Sequence, residues 1–116
     1  MPKRTDHLLI LDIISSVEKI LEYTKGMTLD DFQTDKKTID AVVRNFEIIG
    51  EAGSRISKEF QNSHSAIPWA GMIGLRNKIV HDYFGIDSKI IWKIISEFIP
   101  DLRREVEKVN LQPPIS

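Results

Sequence analysis

The residues best suited to catalysis lie in one short segment, Leu75 to Phe84, where Arg76, His81 and Tyr83 stand in the order Arg-x4-His-x-Tyr. Cleavage of RNA without a metal needs one group that takes a proton from the ribose 2′-hydroxyl and another that protonates the leaving oxygen. Histidine titrates nearest neutral pH and suits both transfers. The arginine guanidinium matches two phosphate oxygens and balances the charge that develops on phosphorus. The segment therefore predicts phosphodiester chemistry.

Polar and basic neighbours support this chemistry. Asn77 could donate to a phosphate oxygen or hold His81 in one tautomer, and Lys78 adds a cation beside it. Further basic residues could extend a local rim for the RNA backbone, namely Lys89, Lys93, Arg103 and Arg104. Ordinary solvated helix faces explain these charges equally well.

The spacing of the motif also constrains its geometry. A five-residue step separates Arg76 and His81 by about 140° around a regular helix. They converge only if the helix ends or bends near His81, or if two chains build the site. A twofold dimer would bring two Arg76 and two His81 into one cleft and supply both an acid and a base. We therefore expect a homodimer, with Tyr83, at nearly the azimuth of Arg76, at the mouth of the cleft.

Apolar residues recur at helical spacing almost throughout, which predicts an all-α fold, an antiparallel bundle of four to five helices. No alternating strand pattern is visible. The expected helices run from Thr5 or Asp6 to about Lys25 before Gly26, from Asp35 to about Phe60, from Pro68 to between His81 and Tyr83, and from about Lys89 onward with a kink or split at Pro100.

Length and composition limit the class of protein. The 116 residues predict one domain over residues 1–110 with a flexible proline-containing tail over 111–116. The absence of cysteine excludes disulfides and thiolate zinc sites, and the net charge of −1 argues against a general nucleic-acid coat protein. A charged amino terminus and the lack of a long apolar run predict a cytoplasmic protein without a membrane span. We expect no metal site and no cofactor.

Two glycine pairs and a charged stripe predict specific contacts of the second and third helices. Gly50 and Gly53 in the second helix, and Gly71 and Gly74 in the third, predict close backbone approach, either to each other or to a symmetry mate. A stripe at three- and four-residue steps predicts a structural ion-pair cluster, formed by Arg44, Glu47 and Glu51.

Four further side chains are predicted to have no catalytic role. His64, like His7, is isolated from other potential ligands and is expected at the surface. Trp69 and Trp92 are expected to anchor the core or an interface.

The motif, together with the segments Asp40–Ala52 and Ile67–Trp69, resembles the HEPN superfamily and within it the HepT-like toxins. The resemblance spans roughly residues 5–110. It implies a homodimeric, metal-independent RNase, the toxin of a type VII-like toxin–antitoxin system, with its cleft at the dimer interface. Arg76 and His81 would be the catalytic pair, and Asn77 the polar residue that customarily follows the arginine.

The resemblance also implies regulation by a partner protein. A minimal nucleotidyltransferase antitoxin would adenylylate Tyr83 and so neutralise the toxin. The residues alone leave a different class open, a non-catalytic helical module that binds a nucleotide or a nucleotidyltransferase. Replacing His81 separates the two, because only the ribonuclease would lose RNA cleavage.

Overall fold

The chain folds almost entirely into helices. A computed structural model describes residues 4–82 and 87–109, with side chains over 4–77 and 87–109. The helices are α1 (Asp6–Thr24), α2 (Leu29–Gln33), α3 (Lys36–Arg55), α4 (Lys58–Ser63), α5 (Trp69–Asp82), α6 (Ser88–Lys93) and α7 (Ile99–Glu107), with a π-helical segment Ile94–Phe98 between the last two. The described ranges contain no strand, and the all-α prediction is confirmed. The predicted tail lies outside them.

Helix α3 is the centre of the bundle and packs along both α1 and α5. The core beneath these helices is aliphatic and aromatic. Its fully buried members include Ile10, Ile13, Ile20, Phe32, Phe46, Ile49, Met72, Ile99 and Leu102. In α1, Ile10 is fully buried, whereas Ile14 is only partly buried against the core. No described helix is long and apolar enough to cross a membrane.

Most helix ends follow the capping signals in the sequence. The Thr5 hydroxyl accepts from the Leu8 N–H at 3.2 Å at the start of α1. Gly26, with φ +77°, follows α1 in the left-handed conformation that terminates helices. Asp87 caps α6 by accepting from the Lys89 N–H at 2.9 Å. Helix α5 begins one residue after Pro68, whose carbonyl accepts its first backbone bond.

The prediction of one helix from Asp35 to Phe60 is wrong. Helix α3 ends at Arg55, Ile56 is extended and buried, and Ser57 caps the separate helix α4. The Asp6 carboxylate accepts from the Ser57 N–H at 2.9 Å and from its hydroxyl at 2.6 Å. This contact spans 51 residues of sequence. A local pattern cannot reveal it.

The break at Pro100 takes a specific form. Residues 94–98 widen into a π-helical turn, and α7 continues from Ile99 with Pro100 in its first turn. Because proline lacks an N–H and its ring crowds the preceding turn, this wider turn accommodates Pro100 without ending the continuous helix from α6 to α7. The predicted split is therefore a local widening, and Leu102 and Val106 stay buried.

Removing the carboxylate of Asp6 tests the link between α1 and α4. We expect Asp6→Ala to lower the free energy of unfolding by about 1–2 kcal/mol, because two hydrogen bonds to a carboxylate are lost. Urea unfolding measures the change. Asp30→Ala is the control, since Asp30 occupies the first turn of α2 and is exposed. Equal losses in the two variants would show that the Ser57 contact contributes nothing.

Candidate active site

Helix α5 carries the motif, and its described part presents the arginine to solvent. Arg76 and Asn77 are both exposed on this helix. Lys78 and His81 belong to its helical backbone, but their side chains lie outside the described residues, as does all of Tyr83. The meeting of Arg76 with His81, and the position of Tyr83, therefore remain predictions.

The backbone of α5 ends where the sequence predicts. It is helical from Trp69 through Asp82, so the helix ends one residue after His81. This end lies within the predicted range, from His81 to Tyr83. Convergence at the end of the helix, a bend near His81 and a site built by two chains all stay predictions.

Helix α3 packs closely against the backbone of Arg76 at Gly50. A Cβ added at Gly50 would lie 2.8 Å from the Arg76 backbone nitrogen and 3.0 Å from its Cα. Real Cβ atoms do not approach backbone this closely, so only glycine at this position permits the observed packing. The absence of a side chain at Gly50 thus sets the distance between α3 and the helix that carries the motif.

The glycine pairs do not face one another, which corrects the first form of their predicted role. Gly53 packs against Met72, and Gly71 packs against the ring of Phe98. A Cβ added at Gly74 would meet no described residue within 4 Å. Contact of Gly74 with a symmetry mate stays a prediction.

The guanidinium of Arg76 is held by a carboxylate from α3. Its Nε lies 3.1 Å from Oε2 of Glu51, and both side chains are about half exposed, at 45% and 49%. The two terminal nitrogens of Arg76 make no hydrogen bond to the described residues. An arginine held through Nε keeps its terminal edge free for a phosphate.

Arg76 borders a cleft of about 400 Å³ between α1, α3 and α5. Its walls combine guanidinium groups, carboxylates and a few aliphatic side chains. The lining residues are Arg4, Leu9, Asp12, Arg44, Glu47, Ile48, Glu51, Ala52, Arg55 and Arg76. Four cations against three carboxylates leave a small positive excess.

The cations of the cleft differ in how firmly they are paired. Arg4 makes two 2.7 Å hydrogen bonds to Asp12, and these bonds, with the charge of Asp12, raise the pKa of Arg4 above its usual value. Arg44 lies 3.8 Å from Glu47, a looser pair. Arg55 forms no ion pair or hydrogen bond through its side chain within the described part of the chain. Arg55 and Arg44 are thus the cations, besides Arg76, that an anion could engage most easily.

Comparison with known proteins identifies the family of this site. Residues 13–109 match the family described as "Ribonuclease HepT-like". The chain belongs to the HepT-like ribonuclease family. This membership confirms the resemblance drawn from the motif and gives the enzyme class as ribonuclease.

Individual relatives agree over most of their length. A Thermococcus cleftensis protein named "Probable ribonuclease HepT" is 42% identical over 108 residues, 93% of this chain and 98% of its own. A Methanocaldococcus jannaschii protein named "Putative RNase MJ0127" is 40% identical over 109 residues, 94% of this chain and 90% of its own. No solved structure gives a significant match.

In the HepT-like chain, Glu51 does not join the ion-pair cluster predicted from the charged stripe. Of the three predicted members, Arg44 and Glu47 pair along α3, and Glu51 pairs with Arg76 of α5 instead. The stripe identified an exposed charged face of α3. It could not show that α5 brings a better partner to one end of that face.

Part of the expected basic rim is different in the structure. Arg103 pairs with Glu18 and Glu107, and Arg104 pairs with Asp101, so this part of the rim is an ordinary ion-paired surface.

Among the described residues no group of three or more histidines and carboxylates is placed to hold a metal ion.

The predicted positions are wrong for His7 and His64 and right for Trp69 and Trp92. His64 is half-buried and stacked on Phe60 with ring centroids 4.1 Å apart, and His7 is half-buried too, which corrects the predicted surface position of both. Its carbonyl accepts from the Trp69 indole N–H at 3.0 Å. Trp69 is buried as predicted, and Trp92 packs against Phe32 with ring centroids 5.2 Å apart.

Proposed function

We propose that this HepT-like ribonuclease is the RNase toxin of a type VII-like toxin–antitoxin pair and cleaves RNA without a metal ion. Arg76 and His81 are the catalytic residues, in a cleft at the interface of a homodimer. The observation that carries the proposal is the half-exposed Arg76, held at the edge of a cleft five residues before His81 on the same helix.

The chemistry assigns one task to each residue. The terminal nitrogens of Arg76 bind the scissile phosphate and offset the charge that forms on it. One His81 takes the proton from the ribose 2′-hydroxyl, and the His81 of the second subunit gives a proton to the leaving 5′-oxygen. Asn77 and Lys78 orient the phosphate.

Regulation acts at Tyr83. A minimal nucleotidyltransferase antitoxin transfers AMP from ATP to the tyrosine hydroxyl, which becomes a phosphodiester as pyrophosphate leaves. The modification adds bulk and a negative charge beside the phosphate site, and both oppose RNA binding. The protein acts in the cytoplasm, where RNA and the antitoxin are present.

Intact mass and RNA cleavage, measured on the chain expressed alone and with its nucleotidyltransferase, test the proposal. The chain alone is expected to cleave RNA in the presence of EDTA, and His81→Ala is expected to lower the rate about 100-fold or more, because acid–base catalysis is lost. The co-expressed chain should gain the mass of one or more AMP groups, mapped to Tyr83 by fragmentation, and lose cleavage.

Different failures would point to different errors. Cleavage that survives in His81→Ala would remove the catalytic assignment. AMP on another residue, or AMP without loss of cleavage, would remove Tyr83 as the switch. If the unmodified chain cuts no RNA yet binds the nucleotidyltransferase, the non-catalytic binding module becomes the better account.

A further inference from the structure

We infer that Glu51 positions Arg76 for catalysis, by fixing the guanidinium through Nε while its terminal nitrogens stay free for the scissile phosphate. The inference rests on the proposed function, because it concerns the same cleft. Glu51 is a positioning residue here, since it acts through Arg76 and does not itself touch the substrate.

Two contacts from consecutive residues of α3 converge on Arg76. Gly50 lets the backbone of Arg76 approach α3, and Glu51 then places its carboxylate 3.1 Å from Nε. One residue thus fixes the base of the side chain and the next fixes its head. A free arginine side chain samples many rotamers, so holding both ends removes conformational entropy before the substrate arrives.

The atoms involved distinguish positioning from competition. If Glu51 occupied the terminal edge of the guanidinium, RNA would have to displace it, and Glu51 would act as an inhibitor. The ion pair instead joins Nε to Oε2, and the terminal nitrogens make no hydrogen bond to the described residues. A phosphate can therefore form its two parallel bonds while Glu51 stays in place.

The solvent exposure of the pair is better suited to orienting the Arg76 guanidinium than to stabilising the fold. Arg76 and Glu51 are about half exposed, and exposed ion pairs contribute little to stability. Removing the charge of Glu51 should thus leave the fold intact while loosening Arg76. Activity and stability are expected to separate in this variant.

Glu51→Gln tests the inference, and Glu18→Gln is its matched control. Glu18 does not line the cleft, and its carboxylate lies 3.1 Å from Nε of Arg103, so it forms the same kind of half-exposed pair with a different arginine. We expect Glu51→Gln to lower kcat about tenfold, because a poorly held arginine spends less time in the reactive geometry. We expect KM to stay within about twofold and thermal unfolding to be unchanged, with Glu18→Gln close to wild type in all three.

NMR of the arginine Nε–H groups gives a second readout that does not need activity. The Arg76 signal should report an ordered side chain in the wild type and in Glu18→Gln, and a mobile one in Glu51→Gln. Equal loss of kcat in both variants, or an ordered Arg76 without Glu51, would overturn the inference. A lower KM in Glu51→Gln would also overturn it, because Glu51 would then compete with phosphate.

The two levels of the argument fail in different ways. If the wild-type chain shows no His81-dependent cleavage, the proposed function is wrong, whatever the Glu51 variants do. In that case the NMR measurement still decides whether Glu51 orders Arg76. If the wild type cleaves RNA and Glu51→Gln matches it in kcat, the positioning role alone is wrong.

Discussion

Mixing His81→Ala subunits into the wild-type protein is expected to reduce RNA cleavage as the square of the wild-type fraction. In the proposed dimer one cleft uses the His81 of both subunits, one as base and one as acid. With nine parts variant to one part wild type, only about one dimer in a hundred keeps both histidines. Chains that act independently would retain about a tenth of the activity at the same total concentration.

The measurement requires complete exchange of subunits, by joint unfolding and refolding, and light scattering to give the mass of the mixed species. His7→Ala is the matched control, because His7 is a half-buried histidine of α1 that does not line the cleft. Its mixtures should keep full activity. A linear decline with His81→Ala, or a monomer that still cleaves RNA, would place Arg76 and His81 of the same chain in one site, at the end of α5 or at a bend near His81.

Gly50→Ala is expected to damage both stability and activity. The added methyl group meets the backbone of Arg76, which cannot yield as a flexible side-chain end can. Helices α3 and α5 must separate, and overpacking of this kind costs about 1–3 kcal/mol. A shift of about 1 Å at Arg76 should lower cleavage about 100-fold. Chemical unfolding and single-turnover cleavage measure the two effects.

Gly74→Ala is the matched control for this substitution. It makes the same chemical change in a helix interior, but the added methyl group meets no described part of the protomer within 4 Å. Because alanine favours helix over glycine, stability should rise by about 0.5–1 kcal/mol. If Gly50→Ala also stabilises the protein, the close packing of α3 on α5 is not as described. A dissociated dimer in Gly74→Ala would instead reveal the predicted contact with a symmetry mate.

The sequence predicted those features of the fold that depend on neighbouring residues. Thr5 and Gly26 mark the two ends of α1 correctly, because helix start and stop signals act on backbone groups within a few residues. It also indicated the disturbance at Pro100, although the π-helical form was not foreseen. The break at Ser57 was missed because its partner, Asp6, lies 51 residues away.

The candidate site divides in the same way. The Arg-x4-His-x-Tyr string occupies eight consecutive residues of sequence, so its spacing predicted Arg76 and His81 as the catalytic pair. Together with two further segments, the string also suggested the family that comparison confirmed. The sequence by itself thus determined the enzyme class and the helical framework. Only the tertiary structure decided that Gly50 seats the Arg76 backbone and that Glu51 holds its guanidinium. Those contacts join α3 to α5 across the bundle, and no local pattern specifies which face of one helix meets which residue of another.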